Sequence, residues 1–168
     1  MNRPESFEDQ LAVLLPRLRR FAHALSRNSA DADDLAQATV ERALRSKAQW
    51  QPGTRLDSWL YRIMRNLWID TARARARRQK VEAPVEDAME LAAGPADAMD
   101  SALELRRMMA AMERLPDEQR EVVALILVEG FGYRETAELL DIPMGTVASR
   151  LVRGRTALLE LVGAERAE

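Results

Sequence analysis

Apolar residues recur at helical spacing along almost all of the chain, and strict alternation is absent. Phe7, Leu11, Leu14, Leu18, Phe21 and Leu25 follow one another at 4, 3, 4, 3 and 4 residues, the stripe of a helix with one covered face. Ser6 with Asp9 three residues on predicts its start, and Pro16 inside the stripe predicts a kink or a split. Asn28 to Asp31 reads as a break and a cap. A second helix is then expected from Asp31 to about Ser46, with Leu35, Ala36, Val40, Ala43 and Leu44 inward. Lys47 to Gly53 reads as a loop holding Trp50 and Pro52. Thr54 to Asp57 then opens a long helix with Leu56, Trp59, Leu60, Ile63, Met64 and Leu67 as its core stripe. After a stretch without period, a helix from about Asp97 to Arg114 turns Leu103, Met108, Met112 and Leu115 inward. Pro116 is placed at the first position of a further helix running to Val128, ended by Gly130.

The last periodic stretch carries the chemistry. Tyr133 to Leu140 forms a short helix with Ala137, Leu139 and Leu140 apolar, and Asp141-Ile142-Pro143 stops it. A second helix restarts at Gly145-Thr146 with Val147, Leu151 and Leu158 on one side. Its other side shows Thr146, Ser149, Val152, Arg153 and Thr156, flanked by Arg150 and Arg155. From Pro143 to Thr156 there are three arginines and no acid. A short helix, a tight turn and a helix with an apolar back and a basic front form a helix-turn-helix. The DNA major groove admits one such helix, where Arg and Ser can donate to base acceptors and flanking arginines can hold phosphates. The plainer alternative is an ordinary helical hairpin with a solvated face.

Charge sharpens the picture. The formal net charge is only −2, yet Thr54 to Lys80 holds eight basic residues against two acidic ones, and Val81 to Glu104 holds seven acids and no base. Such segregation suggests a nucleic-acid surface next to an acidic linker. On the long helix Arg62, Asn66, Asp70, Arg73 and Arg77 fall on one outer face at spacings of 4, 4, 3 and 4. Trp50, Tyr61 and Trp68 lie beside this strip in sequence, and basic and aromatic side chains together suit a strand whose bases are splayed and stacked. A solvated arginine-rich helix is the competing explanation. Asp31, Asp33 and Asp34 crowd the start of the second helix, which suits either capping against the helix dipole or an acidic docking surface.

Composition removes other classes. The chain has 168 residues, no Cys and one His, so thiolate metal sites, disulfides and a thiol nucleophile are excluded. His23 reads as a partly buried helix residue rather than a ligand. No nucleotide loop, metal-ligand spacing or nucleophile–base pair is visible, so an enzyme, a metal and a cofactor are not expected. No apolar run approaches a membrane span and no signal-peptide pattern opens the chain, so a cytoplasmic protein is expected.

From about Leu11 to Leu161 the chain resembles bacterial RNA polymerase sigma factors of the extracytoplasmic-function (ECF) type. Four blocks carry the likeness in order: Asp31 to Leu44, Arg55 to Asp70, Leu115 to Val123, and Gly132 through Arg155. The first resembles the family's region 2.2 helix, the second the segments that melt and read the −10 promoter element, and the last two region 4. The resemblance implies an all-α fold of two small helical domains joined by a flexible acidic linker. Their expected bounds are 1–80 for region 2, 81–98 for the linker and 99–168 for region 4, with no room for the additional regions of larger sigma factors.

The resemblance also implies roles. Asp33, Asp34, Leu35, Gln37 and Thr39 would dock on the clamp helices of the polymerase largest subunit, and region 4 on its flap. Lys47, Trp50, Arg62, Asn66, Asp70, Arg73 and Arg77 would bind the −10 element, with a flipped base held by the Lys47–Gly53 loop. Thr146, Ser149, Arg150, Val152, Arg153 and Arg155 would bind the −35 element, Ser149 and Arg153 at base edges, Arg150 and Arg155 at phosphate. The implied partners are core RNA polymerase, promoter DNA and an anti-sigma factor, with no cofactor. The sequence departs from the family at three places. Ala38 stands where many relatives have Glu, Ala148 where a polar or basic residue is common at an exposed position, and Gly154, often Ala, is expected to loosen its helix. Two rivals remain open: a stand-alone helix-turn-helix regulator, and an interaction protein that mimics a sigma factor to titrate an anti-sigma factor.

Overall fold

The computed structural model describes residues 6–79 and 99–166, and the predicted linker at 81–98 lies outside the described residues. The described residues are helical with no strand, in two compact units, one within Met1–Asp87 and one within Ala88–Glu168.

The first unit holds α1 (Phe7–Ser26), α2 (Ser29–Arg45), a 3₁₀ turn (Lys47–Gln49) and α3 (Leu56–Gln79), each helix packing on the other two. Ser6 and Asp9 form the predicted capping box, with the Asp9 N–H donating to Ser6 Oγ at 3.1 Å and the Ser6 N–H to Asp9 Oδ2 at 3.0 Å. Pro16 does not split α1. Pro16 and Ala12 are both exposed, so the Ala12 carbonyl left without a proline donor faces water. Arg27 ends the helix in the left-handed conformation (φ 66°), and Asn28 caps α2 by accepting from the Asp31 N–H at 2.8 Å.

The stripe of α1 is buried as expected, Leu14 alone being half-covered. On α2 the inward line is Ala32, Leu35, Ala36, Thr39 and Ala43. Val40 is only half-buried, and Leu44 is 46% exposed, against expectation. The small residues are the cause: alanines let the backbones of neighbouring helices come close, and the face rotates toward them. Thr39 tolerates full burial because its hydroxyl donates to the Leu35 carbonyl at 2.7 Å. On α3, Leu56, Leu60, Tyr61 and Met64 are buried. Tyr61 presents an edge to Phe21 with 4.7 Å between centroids, so it is core and not a stacking platform.

The second unit holds α4 (Met99–Arg114), α5 (Asp117–Val123), α6 (Tyr133–Leu140) and α7 (Met144–Arg166). Pro116 is the N-cap of α5 rather than its first residue. The helix does not run regularly to Val128. Ala124–Val128 is a π turn, with the Glu129 N–H donating to the Ala124 carbonyl at 2.9 Å. Gly130 (φ 76°) then reverses the chain, and the Phe131 N–H reaches the Leu125 carbonyl at 2.9 Å. Ala111 and Leu115 are the buried residues of the α4 end, whereas Leu103 and Met108 are exposed and Met112 half-buried. The rest of the core is Val122 to Leu125, Phe131, Ala137, Leu139, Leu140, Val147, Leu151 and Leu158.

Arg120 is buried inside this apolar set. It donates to the Leu115 carbonyl at 3.0 Å and pairs with Asp117 at 2.7 Å, so its charge is not left uncompensated. No helix among the described residues is long and apolar enough to cross a membrane.

Candidate nucleic-acid interface

In the first unit the helix α3 presents Arg62, Asn66, Asp70, Arg73 and Arg77 to solvent along one length of helix. Asn66 and Asp70 line a groove of about 310 Å³ with Arg42, Ser46, Gln49, Trp59, Ile63 and Leu67. Arg42 and Gln49 come from the end of α2 and the 3₁₀ turn. Periodicity on α3 could not have found them, since only the fold brings them opposite Asn66. Amide, carboxylate and guanidinium around a slot floored by Trp59, Ile63 and Leu67 can hydrogen-bond the edge of an unpaired base and cover its faces.

A second, larger depression of about 640 Å³ lies on the other side of the loop, lined by Phe7, Gln10, Lys47, Trp50, Pro52, Gly53 and Thr54. Trp50 is half-buried against Phe7, their centroids 5.5 Å apart, and its buried indole N–H has no hydrogen-bond partner. Gly53 takes φ 89°, where L side chains are strained, which lets the loop turn sharply after Trp50. Lys47 is tied back to α1 through Glu8 at 2.5 Å and lies 5.5 Å from the Phe7 ring centroid. The Lys47 hydrogen bond holds the Glu8 carboxyl below its ordinary range.

Trp68 does not join the basic strip. It sits with Arg75 (5.9 Å from guanidinium to ring centroid) in a separate groove of about 210 Å³ shared with Asp31, Asp34, Leu35, Ala38, Leu67 and Thr71. Arg75 donates to both Asp31 carboxylate oxygens, one at 2.5 Å. Asp31 also accepts from Asn28 Nδ2 at 2.6 Å. The Arg75 hydrogen bonds pull the Asp31 carboxyl below its ordinary value against an opposing push from burial. Asp31 is therefore a structural link from α2 to α3.

Of the five residues expected to dock on polymerase, Asp33, Asp34 and Gln37 are exposed on α2. Leu35 and Thr39 are buried, at 6% and 0% exposure, and belong to the core instead. They share the α2 sequence block with the surface residues because a helix face turns inward every three or four positions.

In the second unit, Gly132 caps α6 and its N–H donates to Glu135 Oε2 at 3.0 Å. Asp141 ends α6 in the left-handed conformation (φ 55°), and the Ile142 N–H closes on the Ala137 carbonyl at 3.1 Å. The chain restarts at Met144, with the Thr146 and Val147 N–H groups bonded to the Pro143 carbonyl. This is the tight turn that the sequence predicts. Val147, Leu151 and Leu158 seat α7 on the core.

The front of α7 is Ser149, Val152, Arg153 and Thr156, with Thr146 half-buried at its start. Val152 is 64% exposed, an apolar group offered to solvent beside Arg153, whose Nη2 lies 3.5 Å from Ser149 Oγ. Arg155 is exposed on one flank. Arg150, on the other, has a side chain only 20% exposed and pairs with Glu118 of α5 at 3.0 Å. Ala148 is half-buried rather than exposed.

Gly154 overturns its expected role. A Cβ there would stand 2.8 Å from Val123 Cγ2 and 3.2 Å from Gln119 Cβ, so this glycine is the point of close approach between α7 and α5.

Comparison with known proteins agrees with this architecture. Residues 11–65 match the family model of the Sigma2 domain of PhyR, and residues 105–158 match that of Sigma-70, region 4. The chain is 37% identical over 164 residues to the ECF RNA polymerase sigma factor EcfG of Rhodopseudomonas palustris, covering 98% of this chain and 89% of that one. It is 36% identical over 159 residues to the RNA polymerase sigma factor CarQ of Myxococcus xanthus, covering 95% and 90%. Among solved structures it is similar to the sigma factor RpoE of Bartonella quintana, determined in complex with the anti-sigma factor NepR. That likeness has 33% identity and a TM-score of 0.83, over 94% of this chain and 96% of that one. A helix-turn-helix unit, a three-helix unit with a grooved basic helix, and relatives matched over nearly their full length lead to one assignment: the chain belongs to the ECF family of RNA polymerase sigma factors.

Proposed function

We propose that this protein binds core RNA polymerase and directs it to promoters through paired −10 and −35 contacts, acting in the cytoplasm. The first unit docks through the exposed Asp33, Asp34 and Gln37 of α2. Unpaired −10 bases enter the groove where Asn66 and Asp70 face Arg42 and Gln49, while Arg62, Arg73 and Arg77 follow the backbone. Lys47 and Trp50 form the other wall of the loop. The second unit lays α7 in the −35 major groove, with Ser149 and Arg153 at base edges, Val152 against a thymine methyl and Arg155 on phosphate. Thr146, at the helix start, adds a further phosphate contact.

The observation that carries this reading is the front of α7. Val152, Arg153 and Thr156 are exposed and Ser149 half-exposed, the stretch from Pro143 to Thr156 is free of acids, and the back of the helix is buried. An interaction protein that mimicked a sigma factor would leave that front and the α3 groove idle, and a stand-alone regulator would leave the α3 groove unused. Control by an anti-sigma factor is supported by the similar sigma factor that was solved bound to one.

Run-off transcription with core polymerase on promoter fragments from the source genome tests the proposal. Protein-dependent starts preceded by a shared −35/−10 pair are expected. Duplex binding without any polymerase-dependent start would replace it with the stand-alone regulator.

A further inference from the structure

The two acids that open α5 each hold one arginine. Asp117 compensates the buried Arg120, and Glu118 reaches out of its own helix to Arg150 on α7. The two pairs differ in kind. Arg120 is enclosed and serves the core. Arg150 lies at the rim of the DNA-reading face, one helical turn before Arg153 and one after Thr146. Its side chain is only 20% exposed, while the Glu118 side chain that holds it is 71% exposed. Close contact between α5 and α7 at Gly154 fixes the distance between these two groups.

The geometry points to Glu118 as an affinity- and specificity-setting residue of the helix-turn-helix: its carboxylate withholds Arg150 from DNA phosphate. The inference rests on the reading of α7 as the −35 helix. Phosphate contacts supply binding without sequence information, whereas base-edge contacts supply discrimination. With Arg150 held by Glu118, the face contributes its base-reading groups, Ser149 and Arg153, with one fewer sequence-blind cation. Glu118 itself adds a negative charge at the margin, which repels any backbone that approaches without the −35 contacts to compensate. Duplex binding by the protein alone is thereby kept weak, and occupancy depends on the contacts made when both units act together on polymerase.

The test is a cycle of Glu118→Gln and Arg150→Gln in the full chain, with circular dichroism to establish folding and fluorescence anisotropy on a mixed-sequence duplex across a salt series. Glutamine keeps the volume of both side chains and removes the charge. Glu118→Gln should tighten duplex binding about two- to five-fold at low salt, the range of an exposed ion pair. It should also steepen the dependence of log K on log salt by about 0.9, one phosphate contact. Arg150→Gln alone should leave that slope unchanged, and the double variant should show no gain over it. The inference is overturned if Glu118→Gln tightens binding equally without Arg150, which marks a general charge effect. It is also overturned if Arg150→Gln alone flattens the slope, which places Arg150 on phosphate already. Absence of duplex binding in all four proteins, both alone and with core polymerase present, would instead remove the helix-turn-helix reading itself.

Discussion

Replacing Gly154 by Ala sets two effects of opposite sign against each other, and the structure decides between them. In a solvent-facing helix interior the change stabilises by about 0.5–1 kcal/mol, because glycine loses more backbone freedom on folding. Here the new methyl meets Val123 Cγ2 at 2.8 Å and Gln119 Cβ at 3.2 Å, inside the 3.5–4.0 Å at which carbon contacts are favourable. Val123 is 1% exposed, and it lies where α5 passes into the π turn, so it has little room to retreat. Forcing a methylene-sized group into such packing costs roughly 1–3 kcal/mol. The clash wins, and a net loss of about 1 kcal/mol is expected, or about 4–8 °C in the melting temperature of a unit this size.

The protein supplies its own control. Trp50, Trp59 and Trp68, its three tryptophans, all lie in the first unit. In a urea titration, tryptophan fluorescence follows that unit, and far-ultraviolet circular dichroism follows both. Gly154→Ala should move the part of the dichroism transition that fluorescence does not report. Val123→Ala should relieve the overlap, so the double variant should be about 1 kcal/mol more stable than the sum of the single changes predicts. An unchanged or stabilised second unit, or strict additivity, would refute Gly154 as the spacer between α5 and α7.

Three further outcomes are expected. Arg153→Ala should weaken use of promoters with a strong −35 element by about 1–3 kcal/mol, measured as abortive initiation on matched and mismatched −35 templates. Asp34→Ala should weaken binding to core polymerase, while Thr39→Val should leave polymerase affinity intact and alter only the stability of the first unit, which separates the surface of α2 from its core. Asp31 gives a pH dependence. Its folded carboxyl titrates below the ordinary 3.8, so the stability it contributes is present above that value and lost as pH falls through the folded one. Because Arg75 is partly exposed the effect is under about 1 kcal/mol. The fluorescence-detected urea midpoint should fall from about pH 5 to pH 3 and fall less in Asp31→Asn.

Much of the fold was legible because it rests on local rules. The Ser6–Asp9 box, the Asn28 cap, the 4-3-4-3-4 stripe of α1 and the turn at Asp141 to Pro143 each follow from neighbouring residues alone. What escaped depends on partners distant in sequence. Thr39 and Tyr61 look like surface groups until the three helices of the first unit pack together, and Leu44 looks like core until the alanines of α2 set its rotation. Arg42 and Gln49 became site candidates only when the fold placed them across from Asn66. Gly154 reads as a weak point in a helix, because no pattern along α7 records how near Val123 stands. Arg150 likewise reads as an available cation until Glu118, thirty-two positions earlier, is found beside it.

The π turn at Ala124–Val128 carries a consequence for chain length. A hydrogen bond from Glu129 back to Ala124 spans one residue more than an α-helical turn, so this segment accommodates the equivalent of a single inserted amino acid. The extra position is absorbed inside the turn, so the residues beyond it keep the phase that a regular α-helix one residue shorter would give them. Deleting one of the five would let the segment relax into regular α-helix, a local gain in hydrogen-bond geometry, and leave Phe131 and the start of α6 in phase with α5. The same deletion in a regular turn of α5 would rotate everything beyond it by about 100°. The least regular turn of the second unit is therefore the one best able to lose a residue.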